Sequence, residues 1–405
     1  MLLKKRVLVC GPSNISVDNI IERLSKHKLD IVRVGHPARV LESVVQYCLD
    51  MRIDTCDGGQ IVKDVRKELD ETLQTIQKTK RKQDRYKLYQ DVKFLKSELR
   101  QREKEVLSSV IKNAQVVLTT LNGTASKILQ NEEFDVVLVD EASQALEAEC
   151  WIAILKAKKL ILAGDHCQLP PTIKSTDKTA QKLMFTLFER MLKHYPKLKR
   201  LLNVQYRMNK VIMQFSSDQF YESKLTCGDG IEDRLLIDLE SVQENEETAC
   251  PVVFVDTAHA NFNESSDDQD SMFNTGEAET VVKYLESLLQ LGVTPNQIAV
   301  ISPYNGQIRV LKEMIKEKYP ALELGSVDGF QGREKEVVIL SLVRSNADGQ
   351  VGFLSEARRL NVAMTRPKRH LCVIGDSSTL SRNQFLKKVV TYLEDHAEIR
   401  YPEMI

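Results

Sequence analysis

Short apolar runs separated by amphipathic stretches recur along the whole chain, and this alternation predicts parallel sheets covered by helices. In the first half the runs are 6–10, 30–35, 115–120, 135–140 and 159–165. In the second they are 251–256, 298–302, 337–343 and 371–375, alternating with helical patterns near 276–291, 305–319, 355–366 and 378–395. The runs at 135–140 and 159–165 lack polar alternation, which predicts strands buried on both faces. A further helix is predicted over 179–194, with Pro196 marking a domain boundary, while the strand at 30–35 is expected to end before Pro37.

One segment differs. From Gln60 to Asn122 there is neither Gly nor Pro. Apolar residues recur in threes and fours at Ile61, Val65, Leu69, Leu73 and Ile76, then at Leu88, Val92, Leu95, Leu99 and Val106. This predicts two amphipathic helices forming a hairpin that breaks between Lys78 and Arg85. Residues 60–107 carry fourteen basic and nine acidic side chains, which suits a solvated coiled coil, a partner-binding arm or a nucleic-acid contact.

At 405 residues the chain is expected to form more than one domain. The expected organisation is a first α/β domain over 1–198, a helical insertion over 52–110 within it, and a second α/β domain over 199–405. Hydrophobic residues make up 42% and charged residues 28%, an ordinary soluble composition. No apolar run is long enough to span a bilayer, and the opening apolar segment is too short for a signal peptide. The eight cysteines are scattered with no Cys-x-x-Cys pair, so they are expected to be reduced thiols in cytosol or nucleus rather than zinc ligands. Net charge is zero, but residues 229–280 hold fifteen Asp or Glu against Arg234 alone. The remainder is therefore basic, as in a phosphate-backbone binder or a protein with dispersed surface Lys and Arg. Within the acidic segment, 263–271 is expected to be an exposed, mobile loop.

The chemistry-bearing residues sit where the strands end. In open α/β sheets ligands bind beyond the carboxyl ends of the strands. One run closes on Asp140, followed by Glu141; the next closes on Gly164-Asp165-His-Cys-Gln168-Leu-Pro-Pro171. A strand-closing Asp can hold Mg²⁺ and a neighbouring carboxylate can orient a water. A strand running into a helix whose first turn favours Asp and Glu has the same look.

Asp140-Glu-Ala-Ser-Gln144 with Gly164-Asp165-x-x-Gln168-Leu-Pro-Pro171 resembles motifs II and III of superfamily 1 helicases of the Upf-like branch. The stretch Gln144-Ala-Leu-Glu-Ala-Glu-Cys-Trp151 is closest to the immunoglobulin mu-binding subfamily. The resemblance runs along nearly the whole chain in the family's motif order. It implies two RecA-like P-loop NTPase-type domains with the helical hairpin inserted in the first. It also implies ATP and Mg²⁺ as cofactors and translocation along single-stranded RNA or DNA in the 5′-to-3′ sense. Nucleic acid is expected to cross both domains and ATP to sit in a cleft between them. Ribonucleoprotein or ribosome-associated partners, a monomeric state and a cytoplasmic or nuclear location are further expectations, with no membrane partner.

Carried over residue by residue, the resemblance assigns Asp140 to Mg²⁺ and Glu141, Gln168, Arg207 and Arg366 to hydrolysis. Tyr206 is assigned to the adenine, with Asp165, Gly332 and Glu334 near the nucleotide. Nucleic acid is assigned to Pro12, Ser13 and Asn14, to Thr119 and Thr120, to Pro303 and Tyr304, and to Ser326 and Asp328. Pro367, where relatives often have Ala, is expected to end a helix at Arg366.

One departure stands out: no Gly-x-x-x-x-Gly-Lys-[Ser/Thr] phosphate loop occurs in these residues. In relatives it lies upstream of the first strand, as does a β-barrel, and small nucleic-acid-binding modules follow the core. The chain is therefore expected to be a family member lacking its amino-terminal part. The alternatives to a helicase core are an ATPase that remodels complexes without unwinding, or a nucleic-acid- or partner-binding protein that does not hydrolyse ATP.

Overall fold

A computed structural model describes residues 5–36, 38, 40–175 and 177–405, and the strand expected to end before Pro37 ends at Arg33. Backbone contacts divide the chain into two compact units, 1–166 with 170–198, and 167–169 with 199–405.

The first unit carries five parallel strands: β1 (Val7–Gly11), β2 (Ile31–Arg33), β3 (Val116–Thr120), β4 (Phe134–Val139) and β5 (Ala157–Leu162). Their order is β2-β3-β1-β4-β5, so consecutive strands are joined by crossovers that lay helices on the faces. Helix α1 (Asn14–Leu24) places Val17 and Ile21 over β1 and β3. The other face is closed by α2 (Leu49–Thr55) and by three later helices. Of these, α5 (Glu147–Ile154) supplies Cys150 and Ala153, and α7 (Leu187–His194) supplies Leu187.

The expectation of full burial on both faces fails for β4 and β5. β5 is an edge strand, Val136 and Leu138 are only half-buried, and Lys158, Lys159 and Ile161 are exposed. The apolar cluster under α1 takes in Leu138 of β4 but no residue of β5. The single helix expected over 179–194 is also divided, into α6 (Lys178–Gln181), a 3₁₀ turn and α7. Thr186 and Glu189 form a reciprocal capping box there, which starts a new helix rather than continuing the old one.

The hairpin forms as expected: α3 (Asp57–Lys78) and α4 (Lys82–Asn113) turn at 79–81. Its seam is built by Val65, Leu69 and Ile76 against Val92 and Leu95, whereas Ile61 and Leu73 face outward and Val62 is buried instead. A helix buries a stripe set by its partner's position, and the spacing alone leaves a residue of play at each turn.

A buried ion pair ties the loop after β1 to its neighbours. Arg33, 1% exposed, donates from Nε to Asp18 Oδ1 at 3.0 Å and from Nη1 to the Val34 carbonyl at 2.6 Å. Its Nη2 donates to Asn14 Oδ1 at 2.7 Å, and Asp18 Oδ2 accepts from the Leu41 amide. Removing one member strands a buried charge, which costs about 3–5 kcal/mol. Asp18→Ala should accordingly lower the unfolding midpoint of the first unit in urea and loosen the loop at Asn14. A midpoint equal to the parent's would mean that water enters and solvates the guanidinium.

The second unit has a six-stranded parallel sheet in the order β12-β11-β13-β14-β8-β15. These are β8 (Val252–Asp256), β11 (Ile298–Ser302), β12 (Glu323–Ser326), β13 (Lys335–Ser341), β14 (Pro367–Gly375) and β15 (Glu398–Arg400). β6 (Val204–Gln205) and β7 (Thr226–Cys227) form a separate parallel pair. The covering helices are α8 (Lys210–Phe220), α9 (Thr275–Gln290), α10 (Asn305–Ile315), α11 (Ala357–Met364), α12 (Ser377–Leu380) and α13 (Gln384–His396). The four central strands are the apolar runs of the sequence; β12 and β15 lie at the edges and are short, so they carry no such run. The helix expected to run to Arg366 ends at Met364, and Pro367 opens β14, where a missing N–H is tolerated.

The stretch 263–271, expected to be an exposed, mobile loop, is largely exposed and is tethered at several points. β9 (Ser265–Ser266) and β10 (Met272–Phe273) pair antiparallel, and Asp267 Oδ1 accepts from the amides of Gln269 and Ser271. Asp267 also pairs with Arg309. Glu264 grips Arg344 bidentately at 2.8 and 2.9 Å with both side chains about nine-tenths buried. Most of the stretch is exposed, as its acidic composition signalled, while Glu264 and Asp267 within it have fixed cationic and amide partners.

Candidate functional site

In the first unit the candidate carboxylates occupy the carboxyl end of β4. Asp140 is half-buried, and its amide donates to the Cys10 carbonyl of β1 at 2.8 Å. Burial pushes its pKa above the usual carboxylate range, against the Glu141 amide and the Arg23 charge, which lower it. A desolvated carboxylate of this kind gains from a divalent cation, so the single hard oxygen ligand at Asp140 fits Mg²⁺. Glu141 sits in the left-handed region at φ 51°, unusual for a residue with a β-carbon. That turn lets the Glu141 carboxylate accept from Gln144 Nε2 at 2.6 Å. Asp165, past β5, is held through its own amide, which donates to Ser143 Oγ at 3.1 Å. Gly164 approaches so closely that a β-carbon there would meet the Ser143 amide nitrogen at 2.9 Å. Ser143 thus joins the two strand ends, a role that no local pattern in the sequence marks.

Two loops of the first unit carry expected nucleic-acid contacts. Ser13 caps α1 by accepting from the Ser16 amide at 3.1 Å and remains exposed, with Pro12 and Asn14 half-buried beside it. The Asn14 side-chain oxygen is already committed to Arg33. At the end of β3, Thr120 is part-exposed and accepts from the Gly123 amide at 3.2 Å. Thr119 is 1% exposed beneath that turn, so the side chain open to a ligand in this pair is Thr120.

In the second unit, three stretches far apart in sequence converge. Arg207 donates from Nε to Glu334 Oε2 at 2.7 Å and from Nη1 to the Thr365 carbonyl at 3.1 Å. Burial works against the Glu334 carboxylate, but the Arg207 and Lys368 charges outweigh it and hold its pKa below the usual range. Arg366, 2% exposed, is clamped by the Val362 and Arg333 carbonyls and the Thr365 hydroxyl. Gly332 has φ 76° and open space around it, as a close-approach turn requires.

The turn that presents Tyr206 and Arg207 is folded by Gln205. Its Oε1 accepts from the amides of Arg207 and Met208, both at 2.8 Å, and its Nε2 donates to the Met208 carbonyl. The Tyr206 ring is 69% exposed and lies over Gly228, where a β-carbon would fall 2.2 Å from the ring. No sequence signal marked Gly228, because its partner is a ring from a turn 22 residues away in sequence. Gln168 is placed with this unit rather than with residues 1–198: Leu169 lies in its core and the Cys167 carbonyl accepts from Asn361 Nδ2 at 2.9 Å.

The remaining expected contacts cluster at the ends of β11 and β12. Ser326 and Pro303 are part-exposed and Asp328 is exposed, paired with Arg359 at 3.4 Å. Tyr304 is 3% exposed, and its hydroxyl donates to the Val351 carbonyl at 3.0 Å. Its ring is therefore a packing element beneath the exposed Phe353, 5.8 Å away between centroids.

Two family models, each described as an AAA domain, match residues 2–176 and 183–378. The DNA polymerase alpha-associated DNA helicase A of Schizosaccharomyces pombe is 45% identical over 406 residues, covering 98% of this chain and 61% of that protein. The rat DNA-binding protein SMUBP-2 is 45% identical over 401 residues, covering 98% of this chain and 41% of that protein. A regulator of nonsense transcripts 1 homolog of Arabidopsis thaliana is 35% identical over 406 residues, covering 96% and 30%. The chain thus spans about three-fifths of the fission-yeast relative and less of the others. With two parallel-sheet, RecA-like units, motif residues at their strand ends and these relatives, the chain belongs to the Upf-like branch of the ATP-dependent superfamily 1 helicases.

Proposed function

We propose that this chain is the motor core of a helicase that couples ATP hydrolysis to 5′-to-3′ movement along single-stranded RNA or DNA. The observation that carries the reading is the convergence of Tyr206-Arg207, Gly332–Glu334 and Thr365-Arg366 through the Arg207 hydrogen bonds. An exposed ring, a positive-φ glycine and two fixed guanidinium groups are what recognition of a base and a triphosphate calls for.

In this reading Glu141 orients and deprotonates the attacking water, while its bond from Gln144 fixes the carboxylate's direction. Asp140 holds Mg²⁺, which when bound with ATP would neutralise phosphate charge. Arg207 and Arg366 offset the charge that develops on the transferred phosphoryl group, and Tyr206 packs on the adenine. Asp165 and Gln168 report the state of the nucleotide to the rest of the motor, and Gly332 and Glu334 shape its surroundings. Nucleic acid is gripped by its backbone at Pro12, Ser13, Asn14 and Thr120, and at Pro303, Ser326 and Asp328. We assign the protein to cytoplasm or nucleus, acting as a monomer on single-stranded RNA or DNA, with ribonucleoprotein or ribosome-associated partners. Among the described residues no helix is long and apolar enough to cross a membrane.

Backbone gripping makes a direct prediction. Affinity for oligo-U or oligo-dT should fall along a straight line in log salt, with a slope of about −0.7 per phosphate neutralised. If three or four phosphates are held, raising salt from about 50 to 200 mM weakens binding about 20- to 50-fold, with little dependence on sequence. Fluorescence anisotropy across that range is the test. Salt-insensitive binding, or a strong preference for one short sequence, would count against a backbone grip.

A further inference from the structure

The hairpin α3–α4 is held by its own seam, yet α4 carries three aromatics that the seam does not use. Tyr86 is 66% exposed, Tyr89 52% and Phe94 68%. Each ring left in water forgoes a large apolar burial, so three on one helix mark a surface with a purpose. At about 100° per residue, all three lie within roughly 80° of Tyr86 on the helical wheel, opposite the buried Val92 and Leu95.

The charges on α4 are sorted in the same way. Lys82, Lys93, Lys96 and Arg100 share the aromatic face and are exposed. The carboxylates of the same stretch, Asp84, Asp91 and Glu98, all fall on one flank, and Glu98 is tied to Arg102 at 2.7 Å. A merely solvated helix mixes its signs, as α3 does with Asp64, Glu68, Asp70 and Glu71 among its bases. On α4 the outward face between Lys82 and Arg100 has rings, cations and amides and no acid. Tyr86 and Phe94 are about 12 Å apart along the axis, the length of three to four nucleotides at about 3.4 Å each.

We propose that the outward face of α4 is a stacking platform for single-stranded nucleic acid. Bases lie on Tyr86, Tyr89 and Phe94, and phosphates are met by Lys82, Lys93, Lys96 and Arg100. The proposal rests on the reading of the chain as a nucleic-acid motor and adds a surface outside the helicase motifs. An acidic protein segment would find the cations but has little use for three exposed rings at this spacing, so nucleic acid is the better fit.

The test uses the purified 405-residue chain and labelled oligo-dT and oligo-U of about 20 nucleotides, read by anisotropy at several salt concentrations. The triple variant Tyr86→Ala, Tyr89→Ala, Phe94→Ala should bind both oligonucleotides roughly 10-fold more weakly or worse, with an unchanged salt slope. Tyr86→Phe with Tyr89→Phe should bind like the parent, since stacking needs the ring and not the hydroxyl. Lys93→Glu with Lys96→Glu should weaken binding and flatten the slope by about 0.7 for each phosphate left without its cation. Unchanged far-UV circular dichroism and melting would separate these effects from misfolding. An oligo-U carrying 4-thiouridine should also crosslink to the 86–94 peptide. Parent-like affinity and slope in the Ala and Glu variants, with crosslinks only elsewhere, would overturn the platform while leaving the motor reading intact. A parent chain that binds neither oligonucleotide would overturn both.

Discussion

Glu141→Gln should abolish all but a residue of ATP turnover while leaving ATP bound. The assay belongs in a protein that carries a phosphate-binding loop ahead of β1, so that every other part of the machinery is present. Gln is nearly the same shape, can still accept from Gln144 through its amide oxygen, and tolerates the left-handed backbone about as well as Glu. What it cannot do is take a proton. Losing a positioned base is worth about 10²–10⁴ in rate, so phosphate release should fall by that factor under saturating single-stranded RNA. Binding of a fluorescent ATP analogue should stay within a few-fold of the parent. Because the carboxylate is half-buried rather than deep, the substitution should leave stability nearly untouched. Turnover within about threefold of the parent would show that water is activated by another group, and Asp165, held at the neighbouring strand end, would be the next to remove.

Arg207→Ala should have an effect at least as large. Phosphate-directed arginines in nucleotidases are worth about 10³–10⁵ in turnover, because the planar guanidinium meets charge that appears only in the transition state. The geometry adds a second reason. Arg207 is oriented by the Glu334 carboxylate and the Thr365 carbonyl, so its direction is set before any ligand arrives. Arg207→Lys should rescue poorly, since an ammonium on a flexible stem cannot meet both acceptors and a phosphate in the same fork. The loss should fall on kcat more than on KM, as expected for an interaction made chiefly in the transition state. Glu334 would then lose its main cation and keep Lys368 at 3.5 Å, so its pKa should rise towards the ordinary carboxylate value. A turnover loss below about tenfold would leave Arg207 as a structural partner of Glu334, and Arg366 would have to carry the phosphate chemistry by itself.

The α/β class, the strands at the centre of each sheet and the hairpin with its turn were all legible in the order of residues, because buried parallel strands and amphipathic helices write their periods into the residues they require. So was the position of the candidate residues. Asp140, Glu141, Arg207 and Glu334 lie at element ends, and short-range motifs preserve local spacing. Edge strands were not legible: β5 reads as a buried run, yet it lies at the border of its sheet with Ile161 in solvent. Nothing local records whether a neighbour will pack on the second face. The fate of Tyr304 and Thr119 was likewise decided by tertiary packing, since burial under Phe353 or beneath the Gly123 turn depends on segments distant or folded back. The same holds for Gln205, Gly228 and Ser143, whose roles exist only once other segments arrive beside them. Periodicity reports what each element needs on one face, and only the assembled chain settles what fills the other.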